Sequence, residues 1–244
     1  MCTVTLVPTS MNKGFVLTSN RDEASNRTTQ EPDFHFYKNK KALFPKDEIA
    51  GGSWIGISEC NRAVNLLNGG FIPHKKEKSY KMSRGILVKE FLVADDLQAF
   101  IQEADFGGIE PFTAIIVEFE TELRFFELVW DSQNKYFKNI ELKPHIWSSS
   151  PLYSAEVKAE RESWFSEFQK NNDVTPDLLW KFHHTAGKDD LINGLIVDRE
   201  FLKTKSITQI KVQPESIQMQ YHDLEVNKIV KKTLKENWES IKIK

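Results

Sequence analysis

Thr3-Val4-Thr5-Leu6-Val7, Ser10-Met11-Asn12-Lys13-Gly14 and Phe15-Val16-Leu17-Thr18-Ser19 read in succession as strand, turn and strand. β-Branched and aromatic residues suit a pleated, half-buried surface, and Ser, Asn and Gly supply turn geometry. The two strands are expected to pair as an antiparallel hairpin. A turn centred near Asn12 and Lys13 makes paired positions sum to about 25, so Cys2 is expected to face residues 21–23. That register brings the cation Arg21 and the carboxylates Asp22 and Glu23 to the N-terminal cysteine.

Outward from this ribbon, Gly51-Gly52 leads into a second hairpin over 53–58 and 62–68, with a turn at Glu59-Cys60-Asn61 and Asn68 returning close to Gly51-Gly52. A meander follows over 112–119, 123–130, 136–142 and 145–148. Helical patterns cover 84–93, 97–104 with Asp95 or Asp96 as cap, 155–169, and 176–183 with Pro176 in the first turn. Strands resume over 207–212 and 217–221, and the tail from Val226 reads equally as helix or strand. Antiparallel meanders broken by helix pairs predict an α+β fold of two stacked sheets with helices outside.

The 244 residues are expected to form one domain, since no linker, repeat or low-complexity stretch divides them. Lys and Arg number 33 against 35 Asp and Glu, a net charge of -2 that argues against nucleic acid or another polyanion as partner. His74-Lys75-Lys76-Glu77-Lys78 and the lysines from Lys228 onward read as solvated loop or helix faces. Two cysteines cannot build a disulfide framework, and neither a signal peptide nor a membrane-spanning apolar run is seen, so a cytoplasmic protein is expected. No glycine-rich nucleotide motif and no metal-ligand spacing occurs. His183-His184 and Asp189-Asp190 are adjacent pairs, whose members point in different directions, so no cofactor is expected. The 17 Phe and six Trp imply a thick core, some of it able to line an apolar cleft.

Removal of Met1 would leave Cys2 with a thiol and a free α-amine on one residue. An α-amine titrating near neutrality can take the thiol proton, so nucleophile and base need no second residue. A plainer alternative holds at each candidate. Position 2 can be small for no chemical reason; Arg21 and Asp22 can be a surface ion pair at a strand end; Asn68 can be a turn residue before Gly69-Gly70. Gly51-Gly52 permits close backbone approach, by packing or by a ligand, and Cys60 reads as an inert turn residue.

An N-terminal Met-Cys, the tetrad Asn20-Arg21-Asp22-Glu23, Gly51-Gly52-Ser53-Trp54-Ile55-Gly56, Asn68, and Ser83-Arg84-Gly85 before Leu87-Val88 occur in the order and spacing of the NRDE, or transport-and-Golgi-organisation protein 2, family. The chain resembles that family most closely over its first third. The family in turn is similar to N-terminal nucleophile hydrolases of the cholylglycine hydrolase, penicillin V acylase and acid ceramidase type.

The resemblance implies a four-layer αββα sandwich that cleaves a linear non-peptide amide, with a lipid-like or other N-acyl small molecule as ligand. It implies Cys2 as nucleophile, Arg21 as the cation favouring its thiolate, Asp22 as the group holding the α-amine, and Asn68 as an oxyanion donor. Asn20, Gly52, Ser149 and Lys205 fall at positions implied to bind substrate or oxyanion. Ser149 stands before Ser150-Pro151 where related enzymes carry a second asparagine, and Lys205 where the family usually shows arginine, which loses the planar fork. The family's connection with haem movement and lipid homeostasis implies an alternative, a non-catalytic carrier of haem or a lipid-like molecule on the same scaffold.

Overall fold

A computed structural model describes residues 3–9 and 13–236. Cys2 and the turn residues Ser10, Met11 and Asn12, on which part of the first-hairpin expectation rests, lie outside the described residues. In chain order the elements are β1 (Thr3–Pro8), β2 (Phe15–Ala24), β3 (Thr29–Tyr37), β4 (Lys40–Asp47), β5 (Ile55–Ser58), β6 (Arg62–Asn68), α1 (Arg84–Val93) and α2 (Leu97–Glu103). There follow β7 (Phe112–Glu118), β8 (Arg124–Trp130), β9 (Lys135–Ile140), β10 (His145–Ser148), α3 (Ala155–Asn171), α4 (Pro176–Thr185), β11 (Asp198–Arg199), β12 (Leu202–Gln213), β13 (Ser216–Asp223) and β14 (Lys228–Glu236).

The first hairpin forms, with a corrected register. Thr3 pairs with Asn20 and Pro8 with Phe15, so partners sum to 23 instead of about 25. The connection is therefore centred one residue earlier, and the Thr9 N–H donates to the Gly14 carbonyl across it at 2.9 Å. The second strand also runs on through the charged tetrad to Ala24, because β12 pairs with it from Phe15 to Ala24. A long-range ladder, which local propensity cannot report, carries the strand past its apolar part.

Strands β3 and β4 have no counterpart in the sequence reading. Their two-residue turn is Lys38-Asn39, with both residues at positive φ, 49° and 61°. This is primed-turn geometry built without the usual glycine, so the strongest short-range hairpin signal is missing. Within the ambiguous tail, Lys228–Glu236 form a strand, paired to β13 from Asp223–Lys228 onward, and residues 237–244 lie outside the described residues.

Among the described residues, two seven-stranded antiparallel sheets result. The first runs β10-β1-β2-β12-β13-β14, with β11 on β12, and the second runs β3 through β9 in sequence order. Alternation along each strand divides the side chains between two faces. Val4, Leu6, Phe15 and Leu17 of the first sheet meet Ile55, Ile57, Ile115 and Val117 of the second in the central core. The opposite face of the second sheet, with Val64, Leu66 and Ile116, packs under Phe91, Leu92 and Ile101 of α1 and α2. The outer face of the first sheet meets Phe165, Leu179 and Phe182 of α3 and α4 through Val7 and Val16. The layers are thus helix, sheet, sheet, helix. Ser83, Asp96, Ser154 and Thr175 cap the four helices by accepting from backbone N–H groups.

Candidate functional site

Adjacent residues at the end of β2 serve different layers. Arg21 continues the row of Phe15 and Leu17 between the sheets and is buried. Its Nη2 donates to Asp47 Oδ2 at 2.7 Å and its Nη1 to Thr29 Oγ1 at 2.9 Å, while Glu23 lies 3.7 Å away. The guanidinium lies 4.5 Å from the Trp54 ring centroid, a cation–π contact. Burial lowers the Arg21 pKa against the opposing pull of Glu23 and Asp47; an arginine starts so high that it stays charged.

Asp47 is the hub of this cluster. Its Oδ2 also accepts from Arg27 Nε at 2.8 Å, and its Oδ1 accepts the backbone N–H of Ile49 and Ala50. Burial pushes its pKa up, but these donors and the two guanidinium charges outweigh it and hold Asp47 below its ordinary value.

Asp22 faces the helices. Tyr153 donates its phenol to Oδ2 at 2.5 Å and Thr204 its hydroxyl to Oδ1 at 2.6 Å. The Arg161 guanidinium covers the Tyr153 ring at 3.6 Å and donates to the Thr3 hydroxyl and to the carbonyls of Asn193 and Gly194. Burial raises the Tyr153 pKa far above the phenol range, so this hydroxyl remains a donor. Asn20 is committed to the same layer. Its Nδ2 donates to the carbonyls of His183 and Leu195, and its Oδ1 lies 2.5 Å from His183 Nδ1. His183 Nε2 lies 2.8 Å from the Thr5 hydroxyl. Burial pushes the His183 pKa down to about 3, and the neutral ring donating from Nδ1 and accepting at Nε2 satisfies both contacts.

A cavity of about 540 Å³ opens where Arg21, Gly52, Trp54 and Asn68 meet the segment 76–85. Gly52 is required by packing: a Cβ there would come within 2.4 Å of the Gly85 carbonyl carbon. The Ser53 N–H donates to Gly85 O at 3.0 Å, locking the start of α1 against the loop before β5. Asn68, the last residue of β6, also lines a second space of about 180 Å³ with Leu67, Phe71 and Trp147. Its Oδ1 is buried with no partner. Ser149 lies behind Asn68 and donates its hydroxyl to the Asn68 carbonyl at 2.8 Å.

Of the residues implied by sequence, Arg21, Gly52 and Asn68 therefore share one cavity. Asp22 and Asn20 lie on the other face of the same strand, and Ser149 buttresses Asn68. Lys205 is the extra residue at a bulge between Thr204 and Ser206. It donates to the Ser25 carbonyl at 2.7 Å, pairs with Glu225, and lines a separate depression of about 220 Å³. Arg21 and Asp22 are not a surface ion pair: each is buried and bound to other partners. His184 is bonded to His222 at 2.9 Å, away from His183's partners. Among the described residues no three His, Cys, Asp or Glu side chains gather to hold a metal, and no helix is long and apolar enough to cross a membrane.

Asp47, Tyr153 and Arg161 escaped the sequence reading. Asp47 ends a strand that local signals did not reveal. Tyr153 and Arg161 look like ordinary loop and helix-surface residues until α3 is laid on the first sheet. The one available signal is weak: Arg161 falls on the apolar stripe of Val157, Trp164 and Phe165, where an unpaired cation is out of place.

The two stacked antiparallel sheets with flanking helices match N-terminal nucleophile hydrolase folds. Penicillin V acylase from Agrobacterium tumefaciens superposes with a TM-score of 0.58 at 8% identity, covering 98% of this chain and 88% of that one. A variant of conjugated bile acid hydrolase from Clostridium perfringens gives 0.52 at 10% identity, covering 98% of each chain. The Caenorhabditis elegans ortholog of N-acylethanolamine-hydrolyzing acid amidase gives 0.58 at 9% identity, covering 86% of this chain and 92% of that one. No curated protein matches the sequence. The family model described as Transport and Golgi organisation 2 matches residues 1–244, and the chain belongs to that family.

Proposed function

We propose that this protein is an N-terminal cysteine amidohydrolase that cleaves a linear N-acyl amide after Met1 is removed. The observation that carries the reading is the cavity bounded by Arg21 and Asn68, in a fold shared with a penicillin acylase, a bile acid hydrolase and an N-acylethanolamine amidase. Thr3 is paired with Asn20, and Arg21 and Asp22 are the next two residues of β2. A buried guanidinium on one face of that strand and a buried carboxylate on the other suit a thiolate and an ammonium carried by one residue.

In this mechanism the α-amine of Cys2 takes the thiol proton and the thiolate attacks the amide carbonyl. Asn68 donates to the oxyanion, a contact whose removal costs about 3 kcal/mol. The ammonium returns its proton to the leaving nitrogen as the C–N bond breaks, and water then hydrolyses the thioester. A reducing cytoplasm suits such a thiol.

Intact mass shows whether Met1 is absent. Titration of Cys2 with an iodoacetamide probe, beside a panel of N-acyl amides, then tests the chemistry. Turnover that falls at least about 10³-fold in Cys2→Ser supports the assignment. Absence of turnover in Met1-free protein, or identical rates in Cys2→Ser, overturns it. A Soret shift on adding haem, dependent on cavity residues, is the outcome the carrier alternative requires.

A further inference from the structure

The cavity is not the oily slot a purely lipid-like amide calls for. Four cations, Arg21, Arg27, Lys76 and Arg84, line it against three anions, Glu23, Asp47 and Glu110. Arg21 and Arg27 are neutralised by Asp47 with Glu23 nearby. Arg84 pairs with Glu110 at 2.9 Å, and Glu110 also binds His74 at 3.1 Å. Lys76 remains. Among the described residues it has neither ion-pair nor hydrogen-bond partner, and Lys75 and Glu77 flank it with Lys78 beyond. Arg84, whose side chain is only 14% exposed, spends Nη1 on the Pro111 carbonyl and Nη2 on Glu110. A guanidinium has five N–H donors, so its fork retains capacity. Lys76, within the run 74–78 that reads from sequence as a solvated face and is largely exposed, thus lines the site, while Ile49 and Met82 add apolar surface.

We propose that the cavity selects amides bearing a carboxylate, as in N-acyl amino acids, and that Lys76 and Arg84 bind that carboxylate. The word amide rests on the hydrolase reading above; the carboxylate recognition rests on the cavity's own charge. A planar fork and a mobile point charge together match a carboxylate, and an otherwise uncompensated lysine gains a counter-ion. A neutral head such as an ethanolamide leaves Lys76 without one.

The test is calorimetric titration of the full-length Cys2→Ala chain, which leaves a substrate uncleaved, with N-octanoylglycine and N-octanoylethanolamine. The expected result is about tenfold tighter binding of the glycine conjugate, narrowing as salt is raised. Lys76→Gln, a change at an exposed position, is expected to remove most of that preference without weakening the ethanolamide. Equal affinities, a preference that survives in Lys76→Gln, or no binding of either probe overturns the proposal. Turnover of the same pair by the unmutated chain is read separately. Selective binding without turnover keeps carboxylate recognition and removes the hydrolase reading; turnover with equal binding does the reverse.

Discussion

The two helix-covered faces of the sandwich are built from different chemistry. Under α1 and α2 the contact is mainly apolar, with Phe91 meeting Phe100, Phe106 and Phe112 at ring-centroid distances of 5.8, 6.3 and 6.4 Å, and buried Ser58 and Arg62 donating to carbonyls at the end of α1. Under α3 and α4 a smaller apolar cluster is joined by buried Asn20, Asp22, Arg161, His183 and Thr204. An apolar interface tolerates small shifts, because dispersion and hydrophobic burial are nearly non-directional. A buried hydrogen-bond network does not, since each misplaced donor leaves an unsatisfied group. The first face supplies stability; the second fixes the ends of β1 and β2, where the proposed chemistry lies.

Four changes test that contrast. Phe91→Ala, in the apolar layer, is expected to cost about 4 kcal/mol in urea unfolding while Cys2 labelling per folded molecule is unchanged. A loss of labelling there would dissolve the contrast. Tyr153→Phe removes a donor from the buried Asp22 carboxylate and is expected to cost roughly 2–3 kcal/mol. It is also expected to lower turnover more than Phe91→Ala does; equal turnover would make the polar layer merely structural.

Lowering the pH acts on the polar layer through its buried histidine. Its His183 takes a proton only near pH 3 when folded, whereas an unfolded histidine takes one near 6.5. Between those values the unfolded chain binds more protons, so stability is complete above about pH 6.5 and falls as pH drops. The loss is about 2 kcal/mol at roughly pH 5. Burial lowers the His184 pKa too, in the same direction. The urea midpoint measured at neutral and mildly acidic pH checks this, and His183→Gln is expected to flatten the slope. Smallest of all, Lys228→Ala removes an exposed pair with Glu31 and is expected to change stability by less than about 0.5 kcal/mol.

Much of the second sheet was legible because its strands pair with their sequence neighbours. Over Arg62–Asn68, Phe112–Glu118 and Arg124–Trp130, local alternation and turn chemistry carried the information that the ladder uses. The exceptions are β3 and β4, where a Lys38-Asn39 turn hides the hairpin. In the first sheet β2 pairs with β12, nearly two hundred residues away, so its length and its continuation through Asn20-Arg21-Asp22-Glu23 could not be read from its own composition.

By itself the sequence determined the helices, most strands, the antiparallel hairpins and, through its ordered motifs, the family. Period-two and period-3.6 patterns record which face each element buries, and these are properties of neighbouring residues. Only the tertiary structure decided that Arg21 meets Asp47, that Asp22 meets Tyr153 and Thr204, that Lys205 lies in a separate depression and that Lys76 joins a cavity wall. Those partners come together through long-range strand pairing and the packing of a helix on a sheet, and a charge in a sequence does not say which distant group will neutralise it.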